Sequence, residues 1–453
     1  MDRELMQDLV KWKNSPRRKP LILQGARQVG KTWLMKEFGR RFYKHTAYVN
    51  LDNNPRMQKV FEQDFDIDRI LLSINAETHV EITPETLIIL DEVQESPMAI
   101  SSLKYFCENA PQYSVITAGS LLGIALHKGI SYPVGKVNTL QLHPLSFYEF
   151  LNATGDEGLA NLLEQGDWPT ISAFHDRFEF ALKNYYFVGG MPECVEIFTE
   201  TKDYGMVRSS QNDLLSLYEA DFGKHIPTKD FALARLIWHA IPGQLAKENK
   251  KFFFGQVKKN SRAKDFEQAC QWLLDCGLIT RVPRITKPAV PMSAYIEENV
   301  YKLFFLDIGL LTAISSLDAR SILEGNRLFT EFKGGLTEQY VCQQLISDSS
   351  YKPYYFTSEN DRYEMDFMIQ IENEVTPIEV KAEVNLKSKS LRAYYDKYHP
   401  NKCIRISMDD YIDQDWLVNI PLFAMHTALT HKAPGFSPRA QAPAPGAKFN
   451  IHS

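Results

Sequence analysis

The stretch GARQVGKT, Gly25 to Thr32, decides how this chain is read. It matches the Walker A phosphate-binding loop and stands where that loop works, after the apolar run Leu21 to Leu23 and before helical spacing. Gly25 and Gly30 let the backbone turn its amides inward. The N–H groups of Gly25, Ala26, Arg27, Gln28, Val29 and Gly30, with the positive end of the following helix, can then surround a polyphosphate. Lys31 would reach the β and γ phosphates, and the Thr32 hydroxyl would ligate Mg2+. ATP and Mg2+ are the cofactors that these residues predict.

The second half of such a site is expected in LIILDE, Leu87 to Glu92. Four apolar residues bury a strand whose carboxyl end delivers Asp91 to the Mg2+ shell and Glu92 to a water placed for in-line attack. Further along, VITAGSLL puts Thr117 and Ser120 at the end of another strand. Ser120 reads either as a polar group sensing the γ-phosphate or as a cap of the next helix. Short apolar strands alternate with helix-length segments, which predicts an α/β domain of the P-loop NTPase type, with a parallel sheet, over residues 1–150. Strand signals then fade into a helical connector over 151–230. Three short helical segments and a strand pair over 231–325 follow the plan of a winged helix. A second α/β domain is expected over 326–430, and the Pro- and Ala-rich tail over 431–453 is expected to stay flexible.

At 453 residues the chain is long enough for about three folding units. Its composition, 44% hydrophobic and 24% charged with a net charge of -5, is that of a soluble globular protein. Nothing global suits a polyanion, so any nucleic-acid contact must come from a local patch. The six cysteines, at positions 107, 194, 270, 276, 342 and 403, lack zinc-knuckle or redox spacing and read as free thiols. The charged amino terminus offers no signal peptide, and no run approaches the roughly 20 apolar residues of a membrane span. A cytoplasmic location without membrane partners is expected.

One local patch exists. Lys247 to Phe266 carries seven basic residues interleaved with four phenylalanines. Lysines such as Lys258 and Lys259 can neutralise DNA phosphates while aromatics stack on bases. A solvated loop whose phenylalanines belong to the core explains the same pattern.

The stretch TPIEVKAE, Thr376 to Glu383, reads as a strand on which Glu379 and Lys381 share one face. Asp366 lies on the strand before it and Glu338 on a preceding helix. This order resembles that of restriction-endonuclease-like nucleases. The resemblance implies that Asp366 and Glu379 hold Mg2+, that Glu338 completes the metal shell, and that Lys381 orients the attacking water. The wet face of a sheet, with cross-strand charge pairs, accounts for the residues equally well without catalysis.

Seven motifs in order, GARQVGKT, LIILDEVQ, TAGSLL, LHPLSFYEFL, VGGMPECV, KLFFLDIGLL and PIEVKAE, resemble a family of bacterial and archaeal AAA-type ATP-binding proteins. Their carboxyl-terminal half is a domain of unknown function. The resemblance runs from about Pro20 to Met408 and implies ATP binding and hydrolysis. In that family Gly-Arg usually precedes the LHPLSF motif, whereas here Gly135 is followed by Lys136. An arginine there would act on a neighbouring subunit's nucleotide in a homo-oligomer, and lysine lacks its planar fork. Two readings of the whole chain stand: a DNA-associated ATPase with a nuclease-like end, or a nucleotide-dependent switch that binds DNA or a protein partner without cutting.

Overall fold

The computed structural model describes residues 1–119, 133–247, 250–259, 261–324, 330–358, 363–382, 388–431 and 433–436. Ser120 and residues 437–453 of the tail lie outside the described residues. The chain forms two compact units that interleave along the sequence. The first comprises Met1–Asn161, Phe180–Arg281 and Leu303–Gln343; the second comprises Leu162–Glu179, Val282–Lys302 and Gln344–Ser453.

The first unit is built on a five-stranded parallel sheet of order β2-β3-β4-β1-β5. Its strands are β1 (Leu21–Gln24), β2 (His45–Asn50), β3 (Thr86–Asp91), β4 (Ser114–Ala118) and β5 (Asn138–Gln141). β3 and β4 are buried along their whole length, as apolar runs in a sheet covered on both faces must be. β5 alternates between half-buried and exposed and closes one edge. Ile22, Val49, Ile88, Leu90 and Val115 from the sheet pack with Phe61, Ile74, Leu103 and Phe106 from the helices. The strand order sets β4 and β5 on either side of β1, so the chain reverses its direction of progress there, and ligand crevices open at such points.

Helix starts in this unit follow local chemistry. The Asp66 carboxylate accepts the Arg69 amide to begin the helix Ile67–Thr78. Ser146 and Glu149 form a reciprocal capping box at the start of Phe147–Thr154. The same buried Glu149 accepts a hydrogen bond from Arg3 Nε at 3.0 Å, and Arg3 Nη1 donates to the Val29 carbonyl at 3.0 Å. The amino-terminal segment therefore braces the phosphate loop.

Asp307 is the other anchor of the first unit, wholly buried. Its carboxylate accepts Gly190 N–H at 2.7 Å, Leu310 N–H at 3.1 Å and Gln343 Nε2 at 3.1 Å. A side chain at Gly189 would place its Cβ 2.1 Å from Asp307 Oδ1, and Gly189 has φ +75°. Only glycine fits there. Burial raises the Asp307 pKa, and its donors pull it back. Asp307→Ala leaves these buried donors without their acceptor and should cost about 3 kcal/mol or more. A shift of the first unit's denaturant midpoint reads this loss, and an unmoved midpoint contradicts it.

Helices Thr228–Leu245, Phe254–Val257 and Ala263–Asp275 precede β6 (Ile279–Ile285) and β7 (Ile296–Phe305). The sequence reading groups these helices and strands as one winged-helix module. The two strands, however, extend an eight-stranded mixed sheet of order β12-β13-β11-β10-β9-β8-β6-β7. β6 pairs parallel to β8 through Arg284–Tyr355 and Ile285–Phe356, which satisfies the edge that a separate wing would leave open.

The remaining strands, all in the second unit, are β8 (Tyr354–Thr357), β9 (Glu364–Ile371), β10 (Glu374–Val380), β11 (Cys403–Ser407), β12 (Ile412–Asp413) and β13 (Leu417–Pro421). β9 and β10 form an antiparallel hairpin, while β10–β11 and β11–β13 are parallel. Phe356, Met365, Met368, Cys403 and Leu417 bury one face under Leu391 and Tyr394 of the helix Lys389–Tyr398. No helix among the described residues is long and apolar enough to cross a membrane.

Candidate functional site

In the first unit the loop Gly25–Gly30 joins β1 to the helix Lys31–Phe42. A Cβ at Gly25 would lie 2.4 Å from the Leu142 carbonyl oxygen, and Gly30 has φ +95°. Both positions demand glycine, for close approach and for backbone angle respectively. Lys31 is buried, and its Nζ donates to the Gly25 and Ala26 carbonyls at 2.8 and 2.7 Å. Burial pushes its pKa down to about 8, against the opposing pull of Glu92 and Asp91.

The structure brings the two halves of the predicted site together. Thr32 Oγ1 donates to Asp91 Oδ2 at 2.6 Å. Tyr48 OH donates to the same oxygen at 3.1 Å, and the Glu92 amide donates to Asp91 Oδ1 at 3.0 Å. A hydroxyl beside a buried carboxylate is an oxygen donor set suited to a hard divalent cation. Glu92 follows with φ +51°, in the left-handed region, and its Oε2 accepts Gln94 Nε2 at 2.5 Å. The opposite oxygen of that amide, Gln94 Oε1, is buried without a hydrogen-bond partner. Thr117 is buried, and its hydroxyl donates to the Leu21 carbonyl at 3.4 Å, tying β4 to β1.

Arg27 is tied to a distant helix of the same unit. Its Nη1 lies 2.7 Å from both oxygens of Asp221 on the helix Tyr204–His225, and that carboxylate raises its pKa. From the same helix, Tyr218 OH donates to the Arg27 carbonyl at 2.7 Å. Gln94, Tyr48, Asp221 and Tyr218 carry no sequence signal that would single them out. They reach the site through strand register and long-range packing.

Lys136 forms an ion pair with Glu108 at 2.8 Å on the surface of this unit. In the basic stretch Phe252, Phe254 and Phe266 are buried, with ring centroids 5.0 and 5.1 Å apart along the series. These three rings belong to the core, while Lys258 and Lys259 are exposed. Glu338 also belongs to the first unit, where its buried carboxylate is paired with Lys250 Nζ.

Asp366, Glu379 and Lys381 lie in the second unit. Asp366 Oδ2 accepts the Val380 amide at 2.8 Å, which links β9 to the end of β10. Glu379 is buried, its Oε1 lies 3.0 Å from Lys381 Nζ, and its Oε2 has no hydrogen-bond partner. The parallel register sets Glu379 opposite Arg405 and Arg405 opposite Asn419. Arg405 Nε donates to Asn419 Oδ1 at 2.7 Å. Burial lowers the Arg405 pKa, and Asp409 and Glu379 oppose that shift. The row thus places a buried cation beside Glu379 that sequence reading missed, since nothing in CIRIS marks its arginine.

Residues 17–151 match the AAA domain family model. This match supports an AAA-type ATPase at a general level. Two domains of unknown function, DUF8612 and DUF4143, match residues 179–321 and 333–423. No curated protein matches. Among solved structures, the Walker-type ATPase paby2304 of Pyrococcus abyssi is similar at 14% identity, over 69% of this chain and 95% of that one, with a TM-score of 0.44. The RuvB Holliday junction branch migration motor of Thermotoga maritima is similar at 14% identity, over 62% and 90%, with a TM-score of 0.29. The Aeropyrum pernix Orc1 protein in complex with DNA is similar at 13% identity, over 69% and 90%, with a TM-score of 0.27.

Proposed function

We propose that the chain is a Mg2+-dependent, ATP-hydrolysing AAA-type protein that associates with DNA and carries a nuclease-like carboxyl-terminal region. The contact of Thr32 with Asp91, with Glu92 next in sequence, carries the ATPase reading. The loop amides of residues 25–30 enclose the phosphates, and the Lys31 amine exchanges its two carbonyl partners for phosphate oxygens. Thr32 and Asp91 hold Mg2+, which supplies neutralising charge at the phosphates. Glu92 accepts the proton of the attacking water.

In this reading Gln94 restrains Glu92. Gln94→Ala frees the carboxylate from one strong hydrogen bond and should raise kcat for ATP by up to about tenfold with KM unchanged. Steady-state turnover checks this, and a fall in kcat would show instead that Gln94 aligns the base.

Exposed Lys258 and Lys259 supply the DNA contact through phosphates, while Phe252, Phe254 and Phe266 are held in the core. Asp366, Glu379 and Lys381 support the nuclease-like reading, and the orphaned, buried Glu379 Oε2 fits a cation ligand. The test is cleavage of single- and double-stranded DNA with Mg2+ or Mn2+, with and without ATP. Cutting that Asp366→Ala abolishes supports the reading; absence of cutting under every condition removes it.

One observation favours the second reading, a nucleotide-dependent switch that binds DNA or a protein partner without cutting. Glu338, the third acid of the expected metal shell, is engaged by Lys250 inside the first unit. Arg27 and Tyr218 would then carry the state of the phosphate loop to the helix Tyr204–His225. The Lys136–Glu108 pair bears on assembly: a homo-oligomer that used Lys136 on a neighbour's nucleotide would have to break it.

A further inference from the structure

The second unit contains a cavity of about 580 Å3 between the helix Lys389–Tyr398 and strands β11 to β13. Its volume falls within the range of small-molecule sites. Three cations line it, Lys389, Arg392 and Arg405, against one carboxylate, Asp396. Trp416 and Leu417 supply apolar wall.

Ser388 stands at the mouth of the helix. It occupies the N-cap position of a ten-residue helix, yet its side chain makes no capping hydrogen bond. It lines the cavity, is 8% exposed, and its Oγ has no hydrogen-bond partner. The first-turn amides of a helix have no partners within it, and their positive field favours an anion. An uncapped helix start, an orphaned buried hydroxyl and three cations thus converge on one space. Arg392 adds a second feature, since its guanidinium lies 5.1 Å from the Trp416 ring. Its pair with Asp396 is solvent-exposed and contributes little to holding it in place.

From this arrangement we infer that the cavity binds a phosphate monoester carried on a planar ring, the chemistry of a nucleoside 5′-monophosphate or of the phosphorylated end of a DNA strand. The phosphate sits at Ser388, Lys389 and the helix amides. Arg405 counters its charge from the sheet, and the base lies against Trp416 and Leu417. Lys389 and Arg392 face one lining carboxylate, Asp396, while Arg405 is shared with Glu379 and Asp409, so the charge that favours a phosphate comes chiefly from the helix side of the cavity. The site does not depend on DNA cleavage and uses none of the phosphate loop.

The test uses the full chain with the phosphate loop saturated by a non-hydrolysable ATP analogue and Mg2+. A 3′-dye-labelled thymidine tetranucleotide, with and without a 5′-phosphate, is titrated by fluorescence polarisation. The phosphorylated form is expected to bind at least about tenfold more tightly. Arg405 is buried and its removal endangers the fold, so Lys389→Gln with Arg392→Gln is the informative variant. It should erase the difference while leaving circular dichroism and ATP turnover unchanged. Competition by thymidine monophosphate would identify free nucleotide as the ligand, and competition only by phosphorylated strands would identify the strand end. Equal affinity for the two tetranucleotides, a difference that survives in the double variant, or equal competition by inorganic phosphate would overturn the proposal.

Discussion

Glu92→Gln is expected to lower ATP turnover by about a thousandfold while leaving ATP affinity within a factor of about two, the range set by loss of a general base. The carboxamide keeps the size of the carboxylate and can still accept the hydrogen bond from Gln94, so the left-handed backbone at this position is undisturbed. It cannot take a proton from water. Because the hydrogen bond from Glu92 to Asp91 comes from its backbone amide, the substitution leaves that bond and the Thr32–Asp91 pair intact. Single-turnover hydrolysis and a separate binding titration distinguish the two effects. Turnover that survives the substitution would mean that another group prepares the water.

Lys31→Ala should weaken ATP binding by about a hundredfold or more, as expected for losing charge-assisted hydrogen bonds in a buried site. The native protein should also show a pH signature that the variant lacks. In the free protein the Lys31 pKa is pushed down to about 8 by burial. Bound phosphates favour the charged amine and raise that pKa. Below pH 8 the amine is protonated in both states and affinity is flat on this account. Above pH 8 binding must take up a proton, so affinity falls by up to about tenfold per pH unit until the bound-state pKa is reached. Calorimetry in buffers of different ionisation heat would detect the proton uptake at pH 9 and its absence at pH 7. Affinity that rises from pH 7 to 9 would contradict the assignment.

Contiguous sequence carried the nucleotide site because its chemistry is local. GARQVGKT holds its glycines, lysine and hydroxyl within one turn between a strand and a helix, and LIILDE ends a buried strand on its two acids. The alternation of apolar strands with helices likewise announced a parallel sheet, which β1 to β5 form. Its strand order could not be read, because pairing depends on long-range packing that short runs of similar strands do not encode. Missing also were β12 and β13, which are short and flanked by acidic and amide residues that resemble a loop.

The electrostatic partners show the same division. Arg27 was read as part of the phosphate cradle, but Asp221, far away in sequence, decides where its guanidinium goes. Glu338 gains a partner in Lys250 that its place in the sequence does not announce. Arg405 acquired its place beside Glu379 from the β10–β11 register alone. By itself the sequence determined which residues can meet phosphate and Mg2+, since backbone angles and neighbouring side chains suffice for that. Only the tertiary structure decided which charges are paired, restrained or left buried without a partner, because those depend on segments brought together by burial of the core.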